Sequence, residues 1–179
     1  DARSVGGRLI FRMEDLDPDR SSRESEQSIM HALKALGLDR DEGYPDAGYS
    51  QSQRNEKYDE VFDLLLHRDL LYPCYCSRSE RLAASAPHPG EHRADPGCKC
   101  RHLSFSERRE LEAAGRKAAW KIKVPDKAIS FCDGHYGKFS ENLADGGDFI
   151  IKRSDGVYAY QLAVSFDDMD TVSYTHLTL

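Results

Sequence analysis

No run of apolar residues in this chain approaches the roughly 20 needed to cross a bilayer as a helix. Nothing near its start has the charged, apolar, small-residue order of a secretory signal, so export by that route is not expected and a cytoplasmic setting is. An excess of positive charge is also missing: the formal net charge is -6, which by itself argues against a nucleic-acid partner, because phosphate contacts need clustered Lys and Arg. Internal repeats and low-complexity tracts are absent, which excludes a solenoid. At 179 residues, one ordinary domain with a real core is expected.

What is present begins with residues 9–20, LIFRMEDLDPDR. Leu9, Phe11 and Met13 alternate with Ile10, Arg12 and Glu14 as in a two-faced strand, and the apolar run stops at an acidic turn closed by Pro18. In open α/β sheets ligands bind beyond the carboxyl ends of strands, which puts Glu14 where an ammonium can be held. The plainer reading is a strand followed by a solvated acidic turn.

Residues 21–36 read as a helix capped by Ser21 or Ser22 and stopped by Gly37, with Ile29, Leu33 and Leu36 as its core face. A loop over 43–50 precedes a second helix capped by Ser52, with a stripe of Tyr58, Val61, Phe62, Leu65 and Leu66 that ends at His67. Residues 70–76 are extended, 83–97 are too rich in proline and glycine for regular structure, and 106–117 form a charged helix capped by Ser104 or Ser106. Alternation in 119–124 and 128–131 predicts one hairpin, and Asp155-Gly156 between 149–152 and 157–160 predicts another.

Cysteine is used in a pattern. Of five, four form two C-x-C pairs, Cys74/Cys76 and Cys98/Cys100, on either side of the Pro/Gly-rich loop. Soft sulfur ligands so arranged suit tetrahedral Zn²⁺ in a reducing compartment better than they suit a disulfide framework. Cys132 stands alone as a small apolar residue, and His88 and His92 read as surface histidines. Arg and Lys concentrate between Arg78 and Lys123, a stretch whose plain reading is a solvated charged face.

RMEDLDPDR at 12–20 resembles the R-x-E-D-x-D segment of class I glutamyl-tRNA synthetases, and more closely that of their short queuosine-specific branch. GLDRDEGYPDAGYSQSQR at 37–54, YPCYCSR at 72–78 and SENLADGGDFIIKRSDGVYAYQLAVSFDD at 140–168 agree in the family's order and together cover most of the chain. The resemblance implies an α/β fold: a partial Rossmann-type catalytic domain over 1–171 with a zinc-bearing insert at about 72–104.

It also implies the chemistry, in which glutamate is activated with ATP and Mg²⁺ and passed to the queuosine base of tRNA(Asp) by a monomeric enzyme. Glu14 and Tyr160 correspond to glutamate-binding positions, and Val164 stands where ordinary glutamyl-tRNA synthetases usually carry Asn. Catalysis is expected from positioning and charge neutralisation, without a protein nucleophile. The branch implies zinc held by three cysteines and a tyrosine, whereas ordinary family members can end in C-x-H, which makes His102 an alternative to Cys98 as fourth ligand. Alternatives are an ordinary synthetase charging tRNA(Glu) and a non-catalytic zinc-stabilised RNA-binding module.

Neither the HIGH-type nor the KMSKS-type phosphate-binding segment of the family is found, so the expectation is a fragment with little turnover of its own. Residues 172–179, VSYTHLTL, can be back-translated into an adapter used in transposase-based sequencing libraries, and are expected to be a non-native tail.

Overall fold

The structure, a computed structural model, describes residues 2–77, 79–80 and 98–171. His88, His92, Arg78, Arg81 and the 172–179 tail lie outside the described residues.

Strand β1 (Ile10–Phe11), helix α1 (Arg23–Ala35) and strand β2 (Glu42–Gly43) form a parallel βαβ unit with Ile10 opposite Glu42 and Phe11 opposite Gly43. The pairing resumes at a parallel bridge between Met13 and Ser50. The expected strand over 9–13 is therefore shorter and interrupted at Arg12. Gly43 is required where it stands: φ is +117°, and a Cβ there would lie 2.1 Å from the Phe11 carbonyl oxygen.

Helix α1 starts as expected, with the Ser22 hydroxyl accepting from the Ser25 N–H at 3.1 Å and Glu24 and Glu26 in the first turn. Its apolar face, however, is not core. No residue of α1 is buried among the described residues, with Ile29 44% and Leu36 73% exposed. Periodicity marks an apolar stripe; what covers it is a tertiary matter.

The core lies further on. Strands β3 (Leu71–Cys74), β4 (Ala119–Ile122) and β7 (Ile150–Lys152) make an antiparallel sheet in the order β3-β4-β7. Helices α2 (Asn55–His67) and α4 (Tyr160–Thr171) supply Tyr58, Phe62, Leu162 and Ala163 to one cluster with Leu71 and Ile151 of the sheet and with Tyr158. Between β3 and β4, helix α3 (Phe105–Ala113) is closed by a capping box between Ser104 and Glu107.

Two expected pairings are corrected. Strand β4 does not form a hairpin with the next strand, because both its edges are taken by β3 and β7. Strand β5 (Ala128–Asp133) pairs instead with β6 (Gly137–Asn142), across a turn in which the Asp133 carboxylate accepts the N–H groups of His135 and Tyr136. At Asp155-Gly156 the turn forms, but its second arm is reduced to the bridge between Lys152 and Tyr158, since residue 160 already opens α4. Ser52 likewise does not cap α2; it lies in a short 3-10 turn, Gln51–Gln53, and its hydroxyl donates to Asp15.

Candidate metal centre and amino-acid cleft

Strand β3 ends at Cys74, and the chain continues through buried Tyr75 to Cys76. Opposite them, Cys98 caps a 3-10 turn, Lys99–His102, that carries Cys100. The four sulfurs all lie within 4.8 Å of one another, with Cys74–Cys98 and Cys76–Cys98 at 3.5 Å and Cys76–Cys100 at 3.6 Å. A tetrahedral site with Zn–S bonds of about 2.3 Å has sulfur–sulfur edges of about 3.8 Å, so the four thiols match a zinc ion in both chemistry and size.

His102 is exposed and lies outside this group of four sulfurs. The Tyr75 hydroxyl donates to Glu112 at 2.6 Å, and a full set of four thiols would be a departure from the branch's three cysteines and tyrosine. Cys132 is exposed on β5, contrary to the small apolar role expected for it.

Two of the thiols resist ionisation. Burial pushes Cys74 up to about 11 and Cys76 higher still. Burial acts the same way on Cys98 but is outweighed by hydrogen bonds from the Cys100 backbone and the neighbouring thiols, which lower it. Asp148 ties this module to the sheet: its carboxylate accepts from the Tyr72 hydroxyl at 3.0 Å, Arg101 Nη1 at 3.1 Å and the Val124 N–H at 2.7 Å.

The acidic turn after β1 divides its carboxylates by task. Asp15 accepts from the Ser50 hydroxyl and from both the N–H and the hydroxyl of Ser52. Burial tends to raise its pKa, but these donors outweigh it and hold the carboxyl below its ordinary range. Asp17 pairs with Arg153 at 2.7 Å and accepts the Asp19 N–H.

Glu14 is the least committed of the three: its side chain is 40% exposed and accepts from Arg12 Nη2 at 3.1 Å. It lines a cleft of about 440 Å³ together with Asp17, Gln51, Arg153, Tyr158 and Tyr160. Tyr160 is the first residue of α4 and 55% exposed, so it is not a core aromatic. The cleft thus holds a carboxylate for a cation, a phenol to donate to an acceptor and a guanidinium partly engaged elsewhere.

Behind the cleft is a network that no sequence pattern announced. Asp167, fully buried on α4, accepts from Gln51 Nε2 at 2.9 Å, Arg54 Nε at 2.7 Å and the Tyr58 hydroxyl at 2.9 Å. The one available signal was the Asp167-Asp168 pair at the end of an otherwise apolar helix face. Much of the basic stretch is also committed internally: Arg101 to Asp148, Lys123 to Asp69, Arg116 to Glu80, and Arg108 to the Leu103 carbonyl.

The sequence profile described as "tRNA synthetases class I (E and Q), catalytic domain" matches residues 2–178. The chain belongs to that family. Glutamyl-Q tRNA(Asp) synthetase of Nitratidesulfovibrio vulgaris is 46% identical over 175 residues, covering 94% of this chain and 54% of the relative. Glutamate–tRNA ligase of Heliobacterium modesticaldum is 42% identical over 183 residues, covering 98% of this chain and 36% of the relative. The crystal structure of a glutamate tRNA ligase from Elizabethkingia meningosepticum, in complex with its amino acid, aligns with a TM-score of 0.72 and 28% identity over 92% of this chain and 36% of its own. This chain spans about half the length of the glutamyl-Q tRNA(Asp) synthetases it matches. The family accounts for the parallel βαβ start, and the α/β class expected from the sequence is the class observed.

Proposed function

We propose that this chain is part of a glutamyl-Q tRNA(Asp) synthetase, in which residues 1–171 belong to the catalytic domain and about 72–104 form its zinc-bearing insert. The observation that carries the reading is that Glu14 and Tyr160, 146 positions apart, line one cleft. Glutamate fits its chemistry: the ammonium pairs with Glu14 and a carboxylate oxygen accepts from the Tyr160 hydroxyl.

In the reaction, the other glutamate carboxylate attacks the α-phosphorus of ATP, releasing pyrophosphate and forming glutamyl-adenylate. A hydroxyl of the queuosine base of tRNA(Asp) then attacks the acyl carbon and AMP leaves. Mg²⁺ accompanies ATP. The residues of this chain contribute positioning and charge pairing rather than a nucleophile. Cys74, Cys76, Cys98 and Cys100 would hold Zn²⁺, which would supply shape alone, since four protein ligands would leave no open position. A cytoplasmic setting fits the unbridged thiols.

Support for this branch over ordinary glutamyl-tRNA synthetases comes from Val164, one turn after Tyr160. The deciding experiment offers the intact gene product both tRNA(Asp) bearing queuosine and tRNA(Glu). Glutamylation of the first alone is expected, and glutamylation of tRNA(Glu) alone overturns the assignment.

A further inference from the structure

Arg12 lies between β1 and the Met13–Ser50 bridge, with its side chain only 13% exposed. Its guanidinium meets three carboxylates: Nη2 reaches Glu14 Oε1 at 3.1 Å, Nη1 reaches Asp168 Oδ1 at 2.8 Å, and Nε stands 3.7 Å from Asp167 Oδ2. Burial works against the charge, but the hydrogen bonds to Asp168 and Glu14 outweigh it, and the guanidinium is held protonated. Asp167 and Asp168 both belong to α4, the helix that opens with Tyr160. A single planar cation therefore joins the wall of the cleft that carries Glu14 to the helix that carries Tyr160.

That link matters because Glu14 is a long, partly exposed side chain at a strand end. Left alone it samples several rotamers, and binding an ammonium then costs the entropy of selecting one. A charge-assisted hydrogen bond to one carboxylate oxygen selects the rotamer beforehand and leaves acceptor capacity for a second cation. Only a fork can hold two carboxylates in two directions at fixed geometry; an ammonium is a point donor on a flexible stem.

We infer that Arg12 is a positioning residue for the substrate ammonium: it fixes the Glu14 carboxylate against α4 and so sets the spacing of the two sides of the amino-acid cleft. The inference deepens the glutamate reading of the cleft and rests on it. It separates ammonium recognition, which passes through Arg12, from recognition of the rest of the substrate, which does not.

The test is Arg12→Lys in the intact gene product, which keeps the charge and removes the fork. Glutamate-dependent ATP/pyrophosphate exchange is expected to show a KM for glutamate raised about tenfold or more, with kcat changed far less. Glutarate, which lacks the ammonium, is expected to inhibit wild type and variant equally, and Arg12→Lys is expected to add nothing in a Glu14→Gln background. Asp168→Asn, which frees the other end of the fork, is expected to raise the glutamate KM in the same way and serves if Arg12→Lys folds poorly. Parallel weakening of glutarate, or losses from Arg12→Lys and Glu14→Gln that multiply, overturns the inference alone. A wild-type protein without glutamate-dependent exchange overturns the glutamate reading and the inference with it.

Discussion

The hydroxyl of Tyr58 donates to the carboxylate of Asp167 at 2.9 Å in a place where both residues are 0% exposed. Asp167 draws its other donors from Gln51 and Arg54, so one anion secures α4 to α2 and to the turn before it. Replacing Asp167 by Ala leaves Arg54, 6% exposed, without its buried partner. A loss of about 3–5 kcal/mol is expected, against about 1 kcal/mol for Tyr58→Phe, which deletes one hydrogen bond. Urea denaturation of the two variants checks the ordering.

A second prediction concerns the cleft. Glu14→Ala in the intact gene product is expected to lower kcat/KM for glutamate in the exchange assay about a hundredfold or more, because the substrate ammonium loses its ion pair. Tyr160→Phe removes a single donor to a charged acceptor, and about a tenfold loss is expected. Wild-type kinetics in the Glu14 variant count against the assignment of the pocket.

The metal centre makes a third. Purified protein is expected to carry one zinc per chain by elemental analysis. Cys98→Ser is expected to lose it, and His102→Ala to retain it in full. The reverse pattern restores the histidine as fourth ligand.

Acid sensitivity gives a fourth. Asp15 has its carboxyl held below the ordinary range by Ser50 and Ser52, so its folded pKa lies below its unfolded one. The contribution is then fully present above the unfolded value, near 4, and lost as pH falls through the folded one. Melting temperatures of wild type and Asp15→Asn are expected to differ most above about pH 5 and to converge as the pH approaches about 2.

Most local signals in the chain held, because the physics behind them is local. The caps, Ser22 of the pair Ser21/Ser22 and Ser104 of the pair Ser104/Ser106, and the Asp155-Gly156 turn each depend on residues a few positions apart and are found, whereas the cap expected at Ser52 is not. The sulfur cluster was readable because thiols so spaced suit few other purposes. Partner choice between strands was not readable: β4 pairs with β3 and β7 because the turn at Asp133 gives β5 a nearer mate, and alternation is blind to that competition. Nor was the stripe on α1, whose periodicity reports amphipathicity without saying what lies against it. The Arg12, Arg54 and Asp167 network joins residues more than a hundred positions apart, and no window contains it. Glu14 and Tyr160 came from resemblance; spacing alone would have left both as an acidic turn and a strand aromatic.

Trp120 is the chain's single tryptophan. It lies opposite Pro73 in the β3–β4 register, next to the Cys74–Ala119 pair, and meets the Phe62 ring edge-on at 5.3 Å. One indole is thus placed between the cysteine-bearing end of the sheet and the aromatic core beneath α2. Its emission can follow metal loading and core melting from one chromophore, so the order in which the two parts of the molecule come apart is open to an ordinary fluorimeter without any label.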